Sequence, residues 1–172
     1  ITGADQGIAG VPMVIQGSPN RAAGGTVLDR RSLAADVVVL SSVSYVALRD
    51  MVLRGGNRGV FFNSANNCEL EGVTARNNGT GFTGALSSGH RFLRCVAAVN
   101  GTGWSAFNSG ISWDQGVSWG NTIGFNLSSS GILSVSNSVI AGGTAFNNQV
   151  PNGDYNILWN TVVNGYPNMN EL

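Results

Sequence analysis

Apolar residues return along this chain at a spacing of 22, and few architectures other than a solenoid can satisfy that spacing. Val38, Val60, Phe82, Trp104, Phe125 and Phe146 follow one another at intervals of 22, 22, 22, 21 and 21. Leu48, Leu70, Phe92, Trp113, Val135 and Ile157 form a second column at 22, 22, 21, 22 and 22. The word NGTGF at Asn78 to Phe82 comes back as NGTGW at Asn100 to Trp104. Self-similarity at a fixed period marks stacked structural units.

A third column, Gly56, Asn78, Asn100, Asn121, Gly143 and Gly165, is small or polar. It is expected to turn the chain through left-handed backbone, which Gly and Asn tolerate best. Each period splits into short strand-like words such as VVLSS, YVALRD and MVLRG, and three such words fill a period with no room left for a helix. Two-helix repeats need about 33 residues or more, and the LxxLxLxxN word of leucine-rich repeats is absent. The chain is therefore expected to be all-β, with about seven coils pairing their strands at about 4.8 Å with the coils above and below. A single domain over 1–172 follows, with an irregular opening coil over 1–37, regular coils over 38–165 and a tail over 166–172. In the opening coil Met13 to Gln16 and Thr26 to Asp29 are strand candidates.

Charge excludes several partners. Only 10% of residues are charged, and nine Arg, with no Lys, balance nine acids. No basic field recruits nucleic acid or an anionic membrane. No apolar run approaches the roughly 18 residues of a spanning helix, so membrane insertion is not expected. The start at Ile1, without Met or a signal segment, reads as a mature or excised piece. Cys68 and Cys95 lie in apolar alternation without CxxC spacing and are expected as buried free thiols, not as metal ligands.

The run VPMVIQGSPN…TVLD, then VVLSSVSYVALRDMVLRGGNRGV, then units of the form NNCxLxxVxxxNNG, resembles the right-handed parallel β-helix of the pectate-lyase-like superfamily. The resemblance covers nearly the whole chain. It implies the fold, and with it an extracellular or cell-surface setting and a polysaccharide partner. It leaves activity open, because the superfamily holds lyases, hydrolases, tailspikes, adhesins and purely structural repeats.

Hydrolysis on this scaffold needs carboxylates placed around the glycosidic bond. Glu69 and Glu71 flank Leu70, but Arg91 lies one period after Glu69 and Arg49 one period before Glu71. Surface charge pairing between coils is the reading that follows. The DD and NTD motifs of the superfamily's hydrolases are missing. A lyase needs a base and a cation to hold the enolate. Without Lys, the base would be an Arg, as the resemblance to pectate lyases allows, or His90, which shares the inward column of Val46 and Cys68. Calcium would be a cofactor only in that case, and no acidic cluster gathers to bind it. No catalytic residue, metal site or other cofactor is assigned.

Arg54 and Arg76, one period apart, stack like charges, which an anionic ligand such as a uronate or sulfate would offset. Trp104 and Trp113 fall in core columns. Trp119 extends the Arg54, Arg76 stripe outward if it aligns with Ala98, and points inward if it aligns with Ala97. Sequons start at Asn78, Asn100 and Asn126. The expectation is a non-catalytic extracellular module that binds an anionic polysaccharide through Arg54, Arg76 and Trp119, or builds a fibrous assembly. Uncapped coils expose strand edges and favour end-to-end stacking. The alternatives are a polysaccharide lyase acting on uronates and a piece of a tailspike-like assembly.

Overall fold

A computed structural model describes residues 1–18, 20, 25–128, 133–148, 152–159 and the backbone of 162–163. Parallel sheets stack as a β-solenoid of about six turns with about 22 residues per turn. Seven strands stand one above another in one of those sheets, so the seven expected coils enclose six full turns.

Three walls make each coil. Wall one contains Val38–Ser41, Arg58–Asn63, Ile123–Ser128 and Thr144–Asn147. Wall two contains Met13–Gln16, Val46–Arg49, Glu69–Glu71 and Leu133–Ser136. In the middle coils these two walls are joined by continuous strands, Thr80–Leu93 and Thr102–Asp114, longer than the short strands expected from the sequence. Wall three contains Thr26–Ser32, Met51–Gly56, Thr74–Arg76, Val96–Ala98, Val117–Trp119, Val139–Ala141 and Ile157–Trp159. Single left-handed residues bend the chain between walls, as at Leu86, Arg94 and Asn77.

The first apolar column is in register along wall one from Val38 through Val60, Phe82, Trp104 and Phe125 to Phe146. From Val60 onward its members are at most 2% exposed. The second runs from Leu48 through Leu70, Phe92 and Trp113 to Val135 on wall two. Ile157 does not belong to it. Ile157 pairs with Val139 on wall three and is 49% exposed. The last coil is shorter than the others there: the step from Val117 to Val139 is a full period, whereas the step from Val139 to Ile157 falls short of one. A constant step therefore overshoots wall two. Aromatic rings cross-link the two columns, with Phe92 meeting Phe82, Trp104 and Trp113 at centroid distances of 5.2, 5.1 and 5.4 Å. Such pairs add stabilisation beyond the area they bury.

The repeated NGTG words now have a structural reason. Asn78, Asn100 and Asn121 are buried and form a ladder. The Asn78 Oδ1 accepts from the Gly56 N–H at 2.9 Å, the Asn100 Oδ1 from the Asn78 N–H at 3.0 Å, and the Asn121 Oδ1 from the Asn100 N–H at 2.9 Å. Their Nδ2 groups donate to the carbonyls of Leu53, Ala75 and Ala97 on wall three. The glycine before each aromatic lies so close to the next coil that a Cβ on Gly81 would stand 2.6 Å from the Gly103 oxygen. The left-handed corner expected at the Asn column lies one residue earlier, at Gly55, Asn77, Val99 and Gly120. The Asn side chains serve the core, and the preceding residue makes the bend. In the next coil Gly142 and Gly143 are both left-handed. Gly165 is outside the described residues.

Candidate functional site

The strands of wall three alternate inward and outward residues. Leu53, Ala75, Ala97, Ser118 and Ile140 point into the core, each at most 2% exposed. The residue after each points out, and pairing places Asp29, Arg54, Arg76, Ala98, Trp119, Ala141 and Trp159 in one outward column. Trp119 thus aligns with Ala98 and faces outward, 53% exposed. Trp159 stands in the same column at 65% exposure.

The signal that places Trp119 was present in the chain. The middle coil loses one residue between Ser109 and Ile111, so its partners in the coil before, from Ile111 through Trp119, are offset by 21 instead of 22. Phe92 and Trp113 already show that offset, and carrying it forward selects Ala98.

Arg54 and Arg76 are adjacent in register. Their electrostatics differ. The Arg54 Nε donates to the Asp29 carboxylate at 3.0 Å, and a second nitrogen stands 3.0 Å from the same oxygen. Partial desolvation acts to raise the Asp29 pKa, but the bond and charge of Arg54, with Arg31, outweigh it and hold the carboxyl below its usual value. Among the described residues Arg76 has no ion-pair partner. The like-charge stack is therefore relieved at Arg54, and Arg76 carries the uncompensated charge. Asp29 precedes Arg54 by more than one period, so a fixed step along the sequence hides the pair.

The other candidates sort differently. Glu71 forms ion pairs with Arg49, 3.6 Å away, and with Arg94, while Glu69 lies beside Arg91 in register. This wall-two group is a set of cross-coil charges. His90 is 1% exposed, its ring 4.3 Å from that of Phe62, and its Nδ1 accepts the Cys68 N–H at 3.3 Å. Burial pushes its pKa down to about 4. A recess of about 390 Å³ lies over the corner that His90 shares with Gly89 and Ile111, and His90 itself is 1% exposed there. Cys68 and Cys95 are buried free thiols, and burial raises the Cys68 pKa. Among the described residues no three His, Cys, Asp or Glu side chains gather where a metal could sit. The amides of Asn78 and Asn100 are committed to the ladder and buried, so those sequons are closed in the folded chain.

Comparison with solved structures gives a likeness to this geometry. The chain shares the parallel β-helix fold of an alginate lyase from Paenibacillus sp. str. FPU-7, a polysaccharide lyase, with a TM-score of 0.60 over 77% of this chain and 16% identity. It spans about half the length of that neighbour, covering 56% of it. No family model matches the sequence, and no curated protein does.

Proposed function

We propose that the chain is a polysaccharide-binding β-helix that holds an anionic glycan on wall three, outside the cell or at its surface. The observation that carries this reading is the outward column of an open seven-stranded sheet, cationic at Arg54 and Arg76 and aromatic at Trp119 and Trp159. A guanidinium binds carboxylate or sulfate through paired N–H groups. Sugar faces pack on indole. The lyase likeness supports a polysaccharide as the partner. Calorimetric titration with pectate, alginate and a sulfated glycosaminoglycan tests the reading, and no measurable affinity for any of them overturns it. Arg76→Gln is expected to weaken binding more than Arg54→Gln, because Asp29 already answers the Arg54 charge. Arg76→Gln should also leave the melting temperature unchanged or slightly raised.

The neighbour's activity favours a second reading, β-elimination on a uronate glycan. Here an arginine would serve as base, since the chain has no Lys and His90 is buried. Calcium would then be the cation to test. Elimination leaves an unsaturated uronate, so a rise in ultraviolet absorbance during incubation would replace the binding reading with the enzymatic one. End-to-end stacking is a separate proposal. It is supported by Ile8, Val11 and Leu33, which are 68%, 66% and 65% exposed in the opening coil, and sedimentation at rising concentration tests it.

A further inference from the structure

Large and small side chains alternate along the outward column of wall three: Arg76, Ala98, Trp119, Ala141, Trp159. Neighbouring strands are about 4.8 Å apart, so the three large residues recur at roughly 10 Å, two strand spacings. Ala141 is only 4% exposed, whereas the indoles on either side of it are 53% and 65% exposed. The column is thus a row of projections with a dip between each pair.

A polysaccharide whose 1,4 links leave both ring positions equatorially forms a flat two-fold ribbon. It advances by nearly one strand spacing per sugar and inverts each sugar relative to the last. Every second sugar then presents the same face and the same carboxylate edge. A chain linked through axial positions buckles, so its ring planes stand across the chain axis and present no row of flat faces to the indoles. Resting on the glycan-binding reading, we infer that wall three selects flat, diequatorially 1,4-linked uronate chains, laid parallel to the solenoid axis, over buckled diaxial ones. Trp119 and Trp159 take the faces of two sugars with one inverted sugar between them. Arg76 meets the carboxylate of the sugar in the same phase two places before Trp119. Ala98 and Ala141 leave room for the inverted sugars. Arg54 falls one strand out of phase and is held by Asp29, so it takes no sugar of its own.

Three oligomers of equal length test this by calorimetry on the full chain: β-1,4-mannuronate (flat, anionic), α-1,4-guluronate (buckled, anionic) and β-1,4-glucose (flat, uncharged). Mannuronate is expected to bind at least about tenfold more tightly than guluronate. Trp119→Ala and Trp159→Ala should each weaken mannuronate binding about tenfold and erase the preference. Both residues are exposed, so neither variant should shift the melting temperature. Ala141→Leu fills a dip and should have the same effect on the preference, while Arg76→Gln should remove the advantage of mannuronate over the glucose oligomer. Equal affinity for the two uronates, or a preference that survives both tryptophan changes, overturns the phase match and leaves glycan binding standing. Binding of none of the uronates, pectate and the sulfated glycosaminoglycan included, overturns both, whereas binding of the sulfated chain alone overturns the uronate selection and leaves glycan binding standing.

Discussion

His90 is the residue whose surroundings say most about its role. Its column neighbours are Cys68 and Ile111, its ring lies on Phe62, and its Nε2 meets no partner among the described residues. An imidazole placed this way remains neutral. Below about pH 6.5 an unfolded chain takes up a proton on His90, and the folded chain refuses it until about pH 4. The His90 contribution to stability should therefore fall as the pH drops through that window and change no further beneath it, by about 3 kcal/mol in all. In His90→Leu, which matches the apolar Val46, Ile111 and Leu133 of the same column, melting temperature between pH 6.5 and 4 should lose most of that slope. An unchanged slope would show that another group carries it. Val99 offers a second residue-level test. It is β-branched at φ 54, at a corner where Gly55, Asn77 and Gly120 occupy the equivalent positions. Val99→Asn should stabilise by about 1 kcal/mol, read from the denaturation midpoint, because Asn tolerates left-handed backbone and Val does not. The inward position of His90 was legible from the sequence, since period and alternation fix which face a residue takes. The ion pair of Arg54 with Asp29 was not, because the first coil is longer than the period.

Elements here are held by columns more than by single strands. The asparagine ladder shows why Asn recurs where a bend alone would accept any small turn residue. Each Asn accepts one backbone N–H from the preceding coil and donates to a wall-three carbonyl, so backbone groups at a buried corner are satisfied by a side chain. Asn100→Ala orphans the Asn78 N–H and removes from the Ala75 carbonyl its side-chain donor, leaving that carbonyl its strand pairing. The expected loss is about 1–3 kcal/mol, the cost of one buried unpaired polar group. Urea denaturation should show a lower midpoint with an unchanged slope. Asn147→Ala, in a partly exposed contact with Asn126, should change stability by no more than about 0.5 kcal/mol. If the two variants were equally mild, the ladder would be incidental to the core. The sequence showed the ladder as a column but not as a hydrogen-bonded one. Period alone cannot tell whether an Asn is chosen for its backbone or its amide, and the left-handed residue turned out to be its predecessor.

Across the whole molecule, stability should grade from one end to the other. A solenoid coil touches only the coils above and below, so its persistence depends on its own packing and on those two interfaces. The central coils bury Phe62, Phe82, Phe92, Trp104, Trp113 and Phe125 at no more than 1% exposure. In contrast, no described residue before Leu40 is fully buried. Even Leu28, which pairs with the buried Leu53, is 40% exposed, and a cavity of about 250 Å³ opens among Ile15, Leu28, Val38 and Leu48. The opening coil is thus joined to the body by two strand pairs and by Ile1, Met13, Ile15 and Val37, which pack against the core while only half-buried. Amide hydrogen exchange should report this directly. Protection at Met13–Gln16 and Thr26–Ser32 is expected to be at least about a hundredfold lower than at Phe82 and Trp104, since local opening of a loosely packed coil does not require global unfolding. Phe92→Ala, which removes a ring shared by both core columns, should lower protection in the central coils by the several kcal/mol typical of a buried aromatic deletion. The opening coil should keep its exchange rates in that variant. Uniform protection in the parent chain, falling uniformly in Phe92→Ala, would instead mean that the solenoid opens as one cooperative unit, and that the single interface at Leu48 and Leu53 binds the first coil as firmly as the aromatic stack binds the rest.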